Sequence, residues 1–439
     1  MEKINPFAYL YYHLYLLQLE EYDLVRFLKI LMGTGGIPKA HLRKKLIFTP
    51  KLTLIGTLSL VLIFGFSIYI SYFFLLFLYV SFIPITIVVI ALTPLDIMLK
   101  SMKIRSAQGV LARFPKLKII GIVGSYGKTT MKEAVSTILS QKYRVVKTPE
   151  NINTPLGIAE LILKQVNEKT EVLVVEMGEY QRGDIQQICS LVKPQIGIIT
   201  GINEAHLERM GSIENTVAAI FEIAHHMNPD GTLVINDDCA LIHDNYKKHI
   251  VHQQVILYSS AQDQGIKSGL LGRYARGVLQ ATDVLGQKLG LTFEQICAGA
   301  LLIKPLPHRL EPIEGARGVL VIDDSYNGNS EGVKEAMYVL STYRNRRKVY
   351  ITPGLVESGV ATAQVHREIG KELSSVANVV VLIKNSVTDY IAEGLLANGF
   401  LKENIKWYKS TEAAHADMAN IVQPNDVVLF QNDWPDNYV

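Results

Sequence analysis

The sequence predicts an α/β protein in three parts: a membrane-associated helical region with a hairpin of two spans over 1–110, an α/β domain headed by a phosphate-binding loop over 111–303, and a Rossmann-like α/β domain over 304–439. Three observations predict it. Residues 52–95 carry no charged side chain. Gly121 to Thr130 reads GIVGSYGKTT, between an apolar strand-like segment and a helical run. From residue 117 onward, apolar strand-like segments alternate with helical ones, the pattern of a parallel sheet covered on both faces. A chain of 439 residues has room for two or three domains.

The N-terminal region is set by charge. Its uncharged run is 44 residues long, and one membrane span takes about 20. Two spans fit, near 52–70 and 73–92, with a tight turn at Ser71-Tyr72 and a kink at Pro84. Arg43, Lys44, Lys45 and Lys51 precede the run; Lys100, Lys103 and Arg105 follow it. The excess of positive charge on cytoplasmic flanks puts both ends inside. The expectation is a multi-pass cell-membrane protein with membrane lipid as a partner and its α/β domains in the cytoplasm. Residues 6–32, rich in Tyr and Leu, read as an amphipathic helix lying on the membrane or against the spans.

The formal net charge of +3 is uneven: residues 1–110 hold 11 Lys/Arg against 5 Asp/Glu, and the rest 33 against 36. The α/β part therefore lacks the basic excess of a nucleic-acid binder. Cys189, Cys239 and Cys297 are far apart and form no CxxC pair, which excludes a cysteine metal cluster or disulfide framework and suits a reducing compartment.

In the first α/β domain, strands are expected at 117–123, 143–148, 171–177, 195–202, 231–236 and 254–259. Helices are expected at 128–141, 154–166, 184–193 and 214–227, and a further helical stretch at 270–302. Lys304-Pro305-Leu306-Pro307 marks a boundary. Beyond it, strands are expected at 318–323, 348–353, 378–383, 405–408 and 426–431. Ligands of such open sheets sit at the carboxyl ends of strands.

The chemistry-bearing residues cluster at those ends. Glycines let backbone N–H groups close around phosphate oxygens, and a helix N-terminus adds partial positive charge. Gly124, Ser125, Tyr126, Gly127, Lys128, Thr129 and Thr130 therefore read as a nucleotide-binding loop of the short form GxxGKTT, since the commoner GxxxxGK[ST] needs Gly at 122, where Ile stands. Lys128 is expected on the β/γ-phosphates and Thr129 on Mg²⁺. Glu176 ends a strand beside this loop and suits a metal ligand, or is a surface loop residue. His206, after the next strand, completes a metal site, contacts a phosphate, or caps a helix. Asn151, Asn153 and Thr154 open a helix, where capping also accounts for Asn and Thr. Arg309, at the boundary, can reach a γ-phosphate on domain closure. Asp323 and Asp324, followed by Ser325, Tyr326 and Asn327, put two carboxylates at a strand's end, where they suit a hydroxyl, amine or cation. His225 and His226 read as structural.

Together GSYGKTT, TPENINTPLGIA, VVEMG, NEAHLERMGS, PHRLE and DDSYNGNSEGVKEAM resemble the Mur ligase superfamily over about 117–435. The last of these is most like the D-alanyl-D-alanine-adding branch. The resemblance implies an ATP- and Mg²⁺-dependent ligase that forms an amide through an acyl phosphate, extending a UDP-muramoyl peptide in peptidoglycan synthesis. It implies catalytic roles for Lys128, His206 and Arg309, and nucleotide contacts from the loop, Arg309 and Asp324. It implies substrate contacts from Asn151, Asn153, Thr154, Tyr326, Asn327 and Glu357, and metal ligation by Thr129, Glu176 and His206. Three features depart from the family. Its sugar-gripping N-terminal domain is not visible. Its carbamylated lysine falls at Ile220, and no lysine occurs between Lys193 and Lys247. Its adenine-contacting His-Asn pair is replaced at Arg273-Tyr274. The alternatives are a related carboxylate–amine ligase acting on a lipid-linked substrate, and an ATP-binding scaffold at the membrane.

Overall fold

Charges and left-handed turns, rather than hydrophobicity, set where the first helices stop. The computed structural model describes residues 5–37, 45–69, 78–149, 152–203, 210–262, 264–326, 328–355 and 362–431. Met1–Met102 forms one compact unit and Lys103–Val439 another. In the first, α1 (Pro6–Leu19) and α2 (Leu24–Thr34) replace the single helix expected over 6–32. The break falls on the acidic residues. Glu21 and Tyr22 take left-handed φ of 55° and 68°. Asp23 then caps α2, its carboxylate accepting from the N–H groups of Val25 and Arg26 at 2.9 and 3.0 Å. Glu20 stays buried, paired with Arg26 at 2.7 Å. Buried residues run without interruption from Tyr12 to Leu17, so α1 is a core helix and not an amphipathic one.

The multi-pass reading is overturned. α3 (Pro50–Tyr69) and α4 (Phe82–Ala112) follow. Among the described residues one helix, α4, passes as long and apolar enough to cross a membrane. The span expected at 73–92 gives way to a helix that starts at Phe82 and runs on through Asp96, Lys100, Lys103 and Arg105. The turn expected at Ser71-Tyr72 lies outside the described residues. Leu52, Ile55 and Ile63 of α3 pack with Ile85, Val88 and Val89 of α4, and with Leu17 and Phe27, into one apolar core. Lys51 and Asp96, the charges that bound the uncharged run, pair at 3.2 Å, and Lys100 joins them at 2.8 Å. Pro84 sits in the first turn of α4, where its missing N–H breaks no helical bond, so it does not kink a span. The multi-pass cell-membrane location therefore does not stand.

The second unit carries two sheets. The first is wholly parallel, in the order β2-β3-β1-β4-β5-β6. Its strands are β1 (Lys118–Val123), β2 (Val145–Lys147), β3 (Val172–Glu176), β4 (Ile196–Ile199), β5 (Thr232–Asn236) and β6 (Gln254–Tyr258). Its helices are α5 (Lys128–Leu139), α6 (Pro155–Gln165), α7 (Asp184–Val192), α8 (Ile213–His226), the short α9 (Ala240–His243) and α10 (Tyr246–His249), α11 (Arg273–Lys288) and α12 (Phe293–Leu301). Successive strand residues face opposite sides. Ile119, Val123, Leu173 and Val175 pack with α6, α7, α8 and the end of α4 at Ala107. Ile120, Ile122, Val172 and Val174 pack with α5, α11 and α12. That two-sided burial is why the strands read as continuous apolar runs.

The second sheet has the order β11-β10-β9-β12-β8-β7. β8 (Leu320–Asp324), β9 (Lys348–Thr352), β10 (Val379–Ile383), β11 (Ile405–Tyr408) and β12 (Val427–Gln431) are parallel and match the expected segments. β7 (Glu311–Glu314) was not expected. It pairs antiparallel with β8 at the sheet's edge. Four residues reading EPIE give no strand signal. α13 (Ser330–Thr342), α14 (Thr362–Val376) and α15 (Thr388–Ala397) flank this sheet.

Candidate functional site

The parallel register of β1 places the site. Ile122 lies opposite Glu176 on β3, and Val123 opposite Ile199 on β4. The chain therefore leaves β1 at the point where the strand order reverses, the usual ligand crevice of an open α/β sheet. Gly124 (φ 142°) and Gly127 (φ 80°) make the turn into α5. A Cβ at Gly124 would strike Thr200 and Gly201, and one at Gly127 would strike the Tyr274 ring. The Ser125 N–H donates to the Gly201 carbonyl at 2.7 Å, and the Thr200 hydroxyl donates to the carbonyls of Val123 and Tyr126 at 3.1 and 2.5 Å. Gly127 caps α5 without a side chain, leaving the helix N-terminus open to an anion.

Two buried ion pairs stand beside this turn. Lys128 Nζ lies 2.9 Å from Glu179 Oε1 and also donates to the Gly124 carbonyl. One helical turn on, Lys132 is wholly buried, with Nζ 3.3 Å from Glu176 Oε2 and 3.7 Å from Glu133 Oε1. Among the described residues Lys132 Nζ and Glu176 Oε2 make no hydrogen bond and are held to each other only as an ion pair. A buried acceptor left this way is costly unless a ligand completes it. The Glu176 backbone is fixed by its N–H on the Thr148 hydroxyl at 3.0 Å. Thr129 is buried at the head of α5.

The loop opens on a cavity of about 460 Å³ whose far wall comes from the second sheet. Tyr126, Gly127 and Thr130 line one side; Arg309, Asp324 and Tyr326 line the other. The segment holding Arg309 is bent by left-handed His308 (φ 61°) and Leu310 (φ 47°). Carboxylates at the end of β8 hold it there. Asp324 accepts from the Leu310 N–H at 3.1 Å and from Gln431 at 3.2 Å; Asp323 pairs with His308 Nδ1 at 2.7 Å. Arg309 stacks its guanidinium on Tyr326, 4.7 Å from the ring centre. Burial pushes the Asp324 carboxyl up to about 7, against the pull of the Leu310 N–H, Gln431 and Arg309.

The sheets also meet at α11. The Tyr274 hydroxyl donates to the Gly127 carbonyl at 3.0 Å, and the Tyr274 N–H donates to Glu335 of α13 at 3.0 Å. Arg273 lies 3.5 Å from the same carboxylate and 4.1 Å over the Tyr338 ring. Burial raises the Tyr126 and Tyr274 hydroxyls above the usual range, so both stay protonated donors.

Residues 122–283 match the Mur ligase middle domain and residues 308–431 the Mur ligase glutamate ligase domain. The chain belongs to the Mur ligase family. The UDP-N-acetylmuramoyl-tripeptide–D-alanyl-D-alanine ligase of Bacillus subtilis (strain 168) is 27% identical over 333 residues, 72% of this chain and 72% of the relative. The ligase of that name from Synechocystis sp. is 27% identical over 341 residues, 74% of this chain and 73% of the relative. MurF from Acinetobacter baumannii shares the fold with a TM-score of 0.66 at 23% identity, covering 76% of this chain and 77% of that one. The MurF ligase of Thermotoga maritima in complex with ADP also gives 0.66, at 24% identity, covering 76% and 80%.

In this Mur ligase the structure brings Gly124, Tyr126, Gly127, Lys128, Thr129, Thr130, Arg309, Asp324 and Tyr326 around the phosphate loop and its cavity. Asn153 lies beside the turn after Glu176, its carbonyl accepting from the Gly178 N–H at 2.8 Å. Thr154 acts as the N-cap of α6, accepting from the Gly157 N–H at 3.3 Å. Asn151, His206, Asn327 and Glu357 lie outside the described residues. Ile220 is buried in the apolar core, so its side chain offers no ligand. Lys132, Glu179, Tyr274 and Glu335 were not singled out as site residues. The Glu179 signal is a second acid three residues after Glu176; the other contacts exist only once the sheets are assembled. His225 pairs with His249, Nε2 to Nδ1 at 3.2 Å, away from the loop.

Proposed function

We propose that this ATP-dependent ligase adds D-alanyl-D-alanine to a UDP-muramoyl peptide, the reaction for which its relatives are named. The observation that carries this reading is the single cavity with the phosphate loop on one wall and the Arg309–Asp324 segment on the other. The first wall suits a triphosphate, with α5 pointing its N-terminus and Lys128 at the β/γ-phosphates. The second suits the nucleoside, with Asp324 on a ribose hydroxyl. Arg309 neutralises charge on the transferred phosphoryl group. Thr129 and Glu176, with its orphaned buried oxygen, are the residues that would hold Mg²⁺, and the ion would neutralise phosphate charge. His206 is assigned beside them from sequence.

The chemistry follows from alignment more than from acid–base groups. A substrate carboxylate oxygen takes the γ-phosphoryl group of ATP, giving an acyl phosphate and ADP. The dipeptide's amine, deprotonated to solvent, attacks the acyl carbon. The tetrahedral intermediate expels phosphate and leaves an amide. Substrate contacts are assigned on sequence grounds to Asn151, Asn153, Thr154, Tyr326, Asn327 and Glu357. The test is ligation by the purified full chain with ATP, a UDP-muramoyl tripeptide and D-alanyl-D-alanine. The expected result is the extended peptide by mass spectrometry, with one ADP and one phosphate per product. ATP hydrolysis without amide product on these substrates would sink the assignment.

A further inference from the structure

Asp324 is held from behind the cavity wall. β12 runs between β8 and β9, and its last residue, Gln431, lies directly opposite Asp324. The rest of that strand reads VVLF, so Gln431 is its one polar side chain, and it is 1% exposed. A buried amide needs partners at both ends. Gln431 Nε2 donates to Asp324 Oδ2 at 3.2 Å. Gln431 Oε1 accepts from the hydroxyl of Tyr350, which is on β9 and wholly buried. Asp324 Oδ1 accepts from the Leu310 N–H at 3.1 Å, so both carboxylate oxygens are held.

The direction of this chain follows from the groups in it. A hydroxyl on an amide oxygen can only donate. The amide N–H is then left for the carboxylate, which only accepts. Were the amide turned over, its oxygen would face Asp324 and favour a protonated carboxyl. The other charged groups about Asp324 are Arg309 on the bent segment and Asp323 on its own strand, with Glu331 of α13 on the same cavity wall. His308 pairs with Asp323.

We propose that Tyr350 and Gln431 are positioning residues for the ligase. The Tyr350 hydroxyl turns the amide so that its N–H meets Asp324, and this keeps Asp324 an ionised acceptor for a nucleotide hydroxyl near neutral pH. The inference rests on the reading that Asp324 contacts the nucleotide.

The test compares full-length wild type, Tyr350→Phe, Gln431→Met and Asp324→Asn. Each is titrated with ADP in Mg²⁺ between about pH 5 and pH 9, and melted without nucleotide over the same range. Wild-type affinity should rise with pH as Asp324 ionises, with a midpoint at about 7. Tyr350→Phe keeps the ring and removes the hydroxyl. It should move that midpoint up by roughly one pH unit, the worth of one hydrogen bond to a charged group. Affinity at neutral pH should therefore drop several-fold and recover at high pH. Gln431→Met should behave alike, and Tyr350→Phe should leave the affinity of Asp324→Asn nearly unchanged. A loss of equal size at every pH, or one as large beside Asp324→Asn, means that the hydroxyl only packs the sheet and overturns the inference. Without nucleotide, the Asp324 contribution to stability falls as pH rises to its folded pKa, so in both variants the fall should run on to higher pH. Unmoved melting profiles also overturn the inference. Should Tyr350→Phe fail to fold, Gln431→Met decides by the same criteria. A wild type that binds no ADP, with melting profiles that shift as described, contradicts the nucleotide reading and leaves the hydrogen-bonded chain standing.

Discussion

Lys128 opens α5, and its ammonium is mostly buried and paired. Removing it therefore does two things. Lys128→Ala should cut ATP turnover by roughly a hundredfold or more, through lost phosphate stabilisation. It should also destabilise the fold by about 3 kcal/mol, because Glu179 stays buried without its cation. Lys128→Ala/Glu179→Gln should recover most of that stability in urea unfolding and none of the turnover. Additive losses would show that the pair does not couple. Asp324 gives a pH signature. Its folded pKa, about 7, lies above the usual 3.8. Between these values the native protein keeps a proton that the unfolded chain releases, so this group's contribution to stability falls as pH rises from about 4 to 7. Asp324→Asn lacks that slope. Its melting temperature should gain a few degrees on wild type between pH 5 and pH 8; parallel pH profiles would refute the burial of the carboxyl. The strand-to-helix turn at Gly124–Gly127 was legible at this scale because Gly-Lys-Thr-Thr follows an apolar strand and opens a helix. Glu179 and Lys132 were not, because their partners are set by the register of β1 on β3.

Among elements, the junction of α11 and α13 is the most exposed to test. Gly272 opens α11 with no side-chain cap of its own. The capping oxygen comes instead from Glu335, across the two sheets, and holds Tyr274 against the phosphate loop. Glu335→Ala should cost about 1 kcal/mol of stability, a typical cap. It should also weaken ADP binding several-fold, since Tyr274 loses its anchor. Urea unfolding and ADP titration on one preparation separate the two effects, and an unchanged ADP affinity would leave the contact merely structural. Strands and helices of the α/β part were readable because two-sided burial writes itself as apolar runs. The N-terminal helices were less legible for the opposite reason. Hydropathy records that 52–95 is apolar, not which of its residues, such as Leu52, Ile55 and Ile85, pack together. The acids Glu20, Glu21 and Asp23 end α1 and cap α2.

For the whole molecule, the boundary between the two compact units falls inside α4, not at its end. Ile104, Ala107, Val110 and Leu111 belong to the core under β1 and β3. A fragment of residues 103–439 should therefore fold and bind ADP as the full chain does. A fragment of 113–439 should lose on the order of 4 kcal/mol, through those four apolar side chains. Thermal melts with and without ADP check both, and equal stability of the two fragments would refute the assignment of that helical end to the core. The order of the two sheets is legible in the sequence, since each begins after a distinct break. The sequence hides this shared helix, because an apolar helix reads alike whichever core it fills.

β7 has a further effect on solubility. An open parallel sheet ends in unpaired N–H and C=O groups, a template for a second chain. β7 covers that edge of β8 and offers in its place a strand reading Glu-Pro-Ile-Glu, largely exposed. Pro312 has no N–H to donate, and two carboxylates repel a like strand. The segment that fixes Arg309 at the cavity is thus continuous with the one that keeps the second sheet from recruiting neighbours. A change that loosens β7 would bare the edge of β8 as well as free the Arg309 segment.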